Sequence, residues 1–206
     1  MATALILDGE ITDQIIRDRE QRGINQFDEV WEGVYVVSPL ADLEHQYISG
    51  ILTSILVEVV QVPGLGRVYP GANVSDREHD WKDNFRVPDV VVVLRNGKAR
   101  DCGTHFCGGP DFLIEILSDD DKSYDKLEFY AAIGVRELLV VDPDTRRVEL
   151  FRLSGGKLSL VGRSSQDALR PISSAVVPLT FQWVAGATRP TIAVERTDGT
   201  SGSWSV

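Results

Sequence analysis

Apolar positions along the chain switch repeatedly between a period of two and a period near 3.6, and that switching predicts most of its elements. Residues 85–94 are a run rich in β-branched side chains, with Pro88 near its mouth and Asn96-Gly97 beyond it, which predicts a buried strand. Residues 112–117 form a second apolar run, bounded by Gly108-Gly109-Pro110 and by Ser118. A helix is expected next, with Ser118 as N-cap, Asp119, Asp120 and Asp121 in its first turn and Gly134 as its stop. Residues 137–141 then read as a strand. Strand, helix and strand at these lengths imply a parallel pair joined by a right-handed crossover.

The flanks follow the same logic. Thr12 and Gly23 bracket a short, highly charged helix over residues 13–22, and residues 27–31 and 34–37 predict a hairpin turning at Glu32-Gly33. Pro39 and Asp42 introduce a long helix in which Tyr47, Ile48, Ile51, Leu52, Ile55 and Val59 recur at helical spacing, ended by Gly64 and Gly66. Residues 68–74 predict another strand. Residues 148–153 and 158–161 predict a second hairpin, which extends the sheet edge and offers a surface for a homodimer. Residues 176–184 predict a last strand or packed segment. Beyond Ala185 periodicity fades into Gly, Thr, Ser and Pro, leaving a disordered end or an ordered appendage. The expected fold class is α/β (α+β), a central mixed β-sheet flanked by helices. The expected division is a helical extension over 1–26, a main domain over 27–184 and a tail over 185–206.

One side chain breaks the apolar pattern. Glu115 is the sole ionisable residue in its strand, and an unpaired buried carboxylate loses several kcal/mol of hydration, so it requires a cation, a metal or a proton. Asp89 opens the preceding strand. Were the two strands neighbours, Asp89 and Glu115 would offer hard oxygen ligands to magnesium or manganese, with water and phosphate completing the shell. Lys126, on the helix after Glu115, would add an ammonium. Two acids and a lysine suit metal-assisted hydrolysis of a phosphodiester.

These residues carry a resemblance. Pro88-Asp89, Ile114-Glu115-Ile116-Leu117-Ser118, Lys126 with Tyr130, Gly134-Val135-Arg136-Glu137 and Val140-Val141-Asp142-Pro143 resemble the Uma-two family. Glu29-Val30-Trp31-Glu32-Gly33, Ser38-Pro39 and His45-Gln46 match it as well, so the resemblance spans roughly residues 27 to 153. That family is a widespread bacterial group of predicted endonucleases in the PD-(D/E)XK, restriction-endonuclease-like superfamily. The resemblance implies a restriction-endonuclease-like fold and a metal-dependent endonuclease acting on DNA. By carry-over Asp89 and Glu115 are the metal-binding and catalytic acids. Leu117 stands where many members have the motif lysine, and Lys126 resembles a lysine migrated to the next helix. Lys122 replaces an Asp common four residues ahead of that lysine; Asp121 or Asp125 could compensate, and Lys122 could compete for the role. Glu29, His45 and Tyr130 are candidate accessory residues, each also readable as an ordinary strand, capping or packing residue.

Composition narrows the choice. With 206 residues, 43% hydrophobic and 25% charged, the chain can bury one sizeable core. No apolar run is long enough to span a bilayer and the start lacks a secretory pattern, which predicts a cytoplasmic protein without a membrane partner. The net charge of -10 weighs against a broad duplex-binding surface, so DNA binding is expected to be weak or restricted. Lys82, Arg86, Arg95, Lys98 and Arg100 around the Asp89 strand soften that objection, or form a solvated edge. Asp80 and Asp83 lie in a polar loop, either near substrate or simply solvated. Cys102, His105 and Cys107, with His79 as a fourth ligand, could hold zinc; loop cysteines are the favoured reading. There is no Walker-type loop and no Gly-x-Ser-x-Gly elbow. Two further readings stay open: a catalytically silent scaffold that binds protein or nucleic acid, and a phosphoesterase for small or nucleotide substrates.

Overall fold

In the computed structural model the described residues are 4–6, 9–38, 40–118 and 122–206. The Ser118-capped first turn at Asp119, Asp120 and Asp121, the compensating role of Asp121, and the Pro39 helix entry fall outside them.

The centre is a six-stranded sheet in the order Lys157–Ser164, Val148–Ser154, Glu137–Val141, Phe112–Ile116, Val90–Leu94 and Gly66–Pro70. Its neighbours are antiparallel except Phe112–Ile116 and Glu137–Val141, which run parallel with Glu115 opposite Val140. Helix α3, Leu127–Ile133, makes the crossover between them. Every residue of both parallel strands is buried, which explains why the runs read as continuously apolar rather than alternating.

The two faces of this sheet are covered differently. On one, Phe112, Ile114 and Ile116 pack with Ile48, Leu52 and Ile55 of helix α2, Leu43–Leu56, and with a four-stranded C-terminal sheet. On the other, Leu113, Leu138 and Val140 pack with Tyr130 and Val135 around α3. Glu115 shares the parity of Leu113, so it points to the α3 face.

Several boundaries move from their predicted places, each for a physical reason. The run 85–94 is two strands, Phe85–Arg86 and Val90–Leu94, because Pro88 has no N–H to continue a ladder. The first piece joins a separate ribbon of seven short strands that includes the hairpin Glu29–Trp31 and Val34–Val37. That hairpin turns as expected, with Glu32 (φ 50°) and Gly33 (φ 85°) both left-handed, the backbone twist that suits a two-residue loop. The segment 68–74 likewise splits into Gly66–Pro70 and Val74–Ser75. Helix α1 covers Gly9–Arg22, so Thr12 lies within it rather than at its cap. Helix α2 starts one residue after Asp42, whose carboxylate accepts the His45 backbone N–H at 2.8 Å, and it leaves Tyr47 exposed rather than packed. A π-helical turn, Val57–Gln61, carries the chain on toward Gly64. After Glu115 a 3-10 turn, Ser123–Lys126, precedes α3. Gly134 ends it in the left-handed conformation (φ 92°), as expected.

The last part of the chain is ordered. Leu179–Val184, Thr191–Arg196 and Ser203–Ser205 pair in sequence with Ile172–Ser173, and Ile192, Val194 and Val206 are buried against the main core. Among the described residues no helix is long and apolar enough to cross a membrane.

Candidate active site

Extending the antiparallel register Ile114↔Val90 by one step sets Glu115 beside Asp89 where the two central strands leave the sheet. Asp89 is held there by its own side chain: Oδ2 accepts the Ile116 backbone N–H at 2.7 Å, and Oδ1 lies 2.7 Å from His45 Nε2. The 3-10 turn Ser123–Lys126, rather than the crossover helix expected to carry it, brings Lys126 over the same end. Its Nζ is 3.1 and 3.2 Å from the two Glu115 oxygens and 2.9 Å from Glu29 Oε1. Tyr130, one turn on, donates its hydroxyl to Glu115 Oε1 at 2.5 Å. Asp89, Glu115, Lys126, Glu29, His45 and Tyr130 are thus one connected cluster.

Glu29 enters from the hairpin and is 2% exposed. Its oxygens accept from Trp31 Nε1 at 2.6 Å and from the Val87 backbone N–H at 2.8 Å, which ties the hairpin to the segment leading into Asp89. The preceding Asp28 is itself fixed by Arg19, Tyr35 and the Ser38 amide. Lys122 lines the same cavity but forms no ion pair among the described residues. Asp125, offered as a compensating acid, is exposed to solvent, and Asp80 and Asp83 lie outside the cavity.

The charges do not balance. Three carboxylates share one ammonium and an imidazole. Burial, reinforced by Asp89 and Glu29 and only partly opposed by Lys126, pushes the Glu115 carboxyl up to about 8. Lys126 is subject to the same field: burial alone would favour the neutral amine, but Glu115 and Glu29 hold it protonated far above neutrality. Burial disfavours the His45 imidazolium as well, yet Asp89 offsets this and raises its pKa. The Tyr130 phenol is raised by burial and by Glu115, so it stays a donor.

A divalent ion fits this donor set. The site has negative charge in excess, two acids facing a cavity, and a buried His45 Nδ1 with no hydrogen-bond partner among the described residues. Among the described residues no three His, Cys, Asp or Glu side chains gather as a ready-made ion cage. Magnesium needs no such cage, because one or two carboxylates, with water and substrate phosphate, suffice. Zinc at Cys102 and Cys107 finds no support in the local contacts: both thiols are free, and His105 turns its Nε2 to the Arg77 carbonyl at 3.0 Å while stacking on Trp81.

One predicted contact surface needs correction. Arg86 is not a surface cation beside the Asp89 strand; it is 4% exposed, sandwiched between the rings of Trp31 (4.7 Å) and Phe129 (4.2 Å), and it donates to the Val30 carbonyl. Burial lowers its pKa. Arg100 is paired with Glu78. The Arg86 sandwich has no local sequence signal, because Trp31 and Phe129 converge on it from separate elements.

The acids, Lys126 and Lys122 line a cavity of about 650 Å³ whose remaining wall is largely apolar, including Phe27, Leu40, Pro70 and Val87.

The Uma2 family model, described as "Putative restriction endonuclease", matches residues 22–187. A crystal structure described as that of a "putative nuclease belonging to DUF820" from Anabaena variabilis is similar in fold, with a TM-score of 0.57 and 23% identity, over 72% of this chain and 83% of that one. No curated protein matches.

Proposed function

The chain belongs to the Uma2 family, described as "Putative restriction endonuclease", and from that premise we propose that it is a metal-dependent nuclease hydrolysing phosphodiester bonds in DNA. Asp89 and Glu115 are the residues assigned to hold magnesium or manganese. The observation that carries this reading is the acid-rich cluster at the mouth of a cavity, in which Glu115 is short of positive charge.

The chemistry follows from what each group can do at neutral pH. Bound there, the ion would stabilise the charge developing on the phosphate and lower the pKa of a water. Lys126 is held protonated, so it serves as a donor that orients the phosphate or the attacking water rather than as a base. Tyr130 and Glu29 fix the acid and the ammonium in place. His45 holds Asp89 at the sheet end. Lys122, paired with no acid among the described residues, is assigned to the substrate phosphate, which leaves it a competitor for part of the lysine's role.

Labelled single- and double-stranded DNA incubated with each metal tests the assignment. Cleavage is expected with magnesium or manganese and lost in both Asp89→Ala and Glu115→Ala; cleavage surviving in both variants rejects the site. The acidic charge of -10 favours a second reading, a silent nuclease-fold scaffold, which predicts no divalent-ion binding in calorimetry. Self-association would use the edge strand Lys157–Ser164, where Leu160 and Val161 are exposed, and a monomeric mass by light scattering would reject it.

A further inference from the structure

Phe27 belongs to the apolar wall of the acidic cavity. It is 40% exposed, and among the described residues its ring stacks on no other aromatic ring. Its position is nevertheless defined. A Cβ placed on Gly71 would lie 3.6 Å from Phe27 Cε1, and the Gly71 backbone N–H bonds to the Asp89 carbonyl at 2.9 Å. Gly71 thus sits between the ring and the Asp89 backbone, and Phe27, Gly71 and Asp89 line the same cavity. Gly71 itself has φ +67°, a backbone conformation that strains any side chain, and a Cβ there would be in ordinary contact with the ring.

The rest of the surface says what this ring is for. A protein of charge -10 gains little from neutralising phosphates; of the cations near the site Arg86 is buried and Lys126 is engaged by Glu29 and Glu115, which leaves Lys122 on the cavity wall to meet the backbone. One such lysine supplies little backbone affinity, so most of the affinity for a nucleic acid must come from elsewhere. An aromatic face supplies it, since stacking one base on such a ring is worth roughly 5- to 150-fold in affinity and tolerates any base. Bases inside a duplex are already stacked and cannot reach the ring.

Resting on the nuclease reading for the neighbouring acids, we propose that the cavity takes a single unstacked nucleotide, its base stacked on Phe27 and its phosphate at Asp89, Glu115 and Lys126. The substrate class is accordingly single-stranded DNA, or a nucleotide turned out of a duplex, and not intact double helix. The cavity of about 650 Å³ is of the size that encloses a ligand of this kind.

The test is calorimetric binding of deoxyadenosine 5′-monophosphate and of deoxyribose 5-phosphate, each with magnesium, to the wild-type chain and to Phe27→Ala and Phe27→Trp. The nucleotide is expected to bind at least about 5-fold more tightly than the base-free phosphate. That preference disappears in Phe27→Ala and survives in Phe27→Trp, which also controls for folding. Equal binding of the two ligands, binding of neither, or an unchanged preference in Phe27→Ala overturns the inference. Cleavage of DNA by a protein that ignores the base would leave the nuclease standing and remove the stacking platform. A base preference that depends on Phe27 in a protein without hydrolysis would do the reverse.

Discussion

Glu115 and Glu137 occupy the two parallel strands of the central sheet, 3% and 0% exposed, and they point to opposite faces. Glu137 meets only donors: Arg152 Nε at 2.6 Å, Ser174 Oγ at 2.5 Å and the Ala175 backbone N–H at 3.0 Å. It clamps the lead-in of the C-terminal sheet to the central one. Glu115 meets two donors, Lys126 and Tyr130, but also the charges of Asp89 and Glu29, and it borders a cavity. The same residue type at the same depth can therefore be a closed clamp or an open, under-compensated site. What separates them is the sign of the neighbours, not burial.

The sharpest way to break this contrast is at Lys126. Lys126→Met leaves the acids without their ammonium and is expected to lower any hydrolytic rate by at least about 100-fold. Stability should fall by about 3–5 kcal/mol at pH 8, and by less at pH 6, where Glu115 takes up a proton instead. Denaturant melts at both pH values, alongside single-turnover cleavage, measure the two effects. Unchanged stability at pH 8 would mean the acids are not truly uncompensated.

Glu137→Leu tests the other side. Losing charge-assisted bonds is expected to cost about 3 kcal/mol, discounted from a fully buried pair because Arg152 is 39% exposed and can return to water. Cleavage per folded molecule should be unchanged.

The pH dependence follows from the sign of the shift. A carboxyl raised from 4.5 to about 8 makes the folded state bind more protons than the unfolded one across that window. Metal-free stability should then decline as pH rises from about 5 to 8, by at most ~1.4 kcal/mol per pH unit for this group. Glu115→Gln should flatten the decline, read as melting temperature against pH in chelator. Smallest is Ser174→Ala, expected to cost about 1 kcal/mol in stability with no effect on metal binding.

The legible parts of this molecule were those written in contiguous residues. The apolar run around Glu115, the turn residues Glu32-Gly33 and the stop at Gly134 each carry their own local cause, and the restriction-endonuclease-like fold class follows from their order together with the family resemblance. The acid, acid and lysine order drew attention to Asp89, Glu115 and Lys126 because an isolated carboxylate in an apolar strand is costly. What local pattern could not supply was tertiary pairing. Glu29 reaches Val87 across 58 positions, and a glutamate in a short hairpin reads equally well as solvent-facing. Arg86 read as a surface cation because nothing near it in the chain announces the rings of Trp31 and Phe129. The C-terminal sheet was obscured by its composition: Thr191–Arg196 buries only Ile192 and Val194 fully, so its alternation is faint among Gly, Ser and Thr.

The central claim is that the Glu115 cluster is completed by a divalent cation whereas the Glu137 cluster is already complete. Calorimetric titration with manganese at pH 7.5 tests it most directly, on the wild type, Asp89→Asn, Glu115→Gln and Glu137→Gln. Saturable binding is expected in the wild type and Glu137→Gln, and its loss in Asp89→Asn and Glu115→Gln. No binding in the wild type, or binding that survives both substitutions at the cluster, would contradict it.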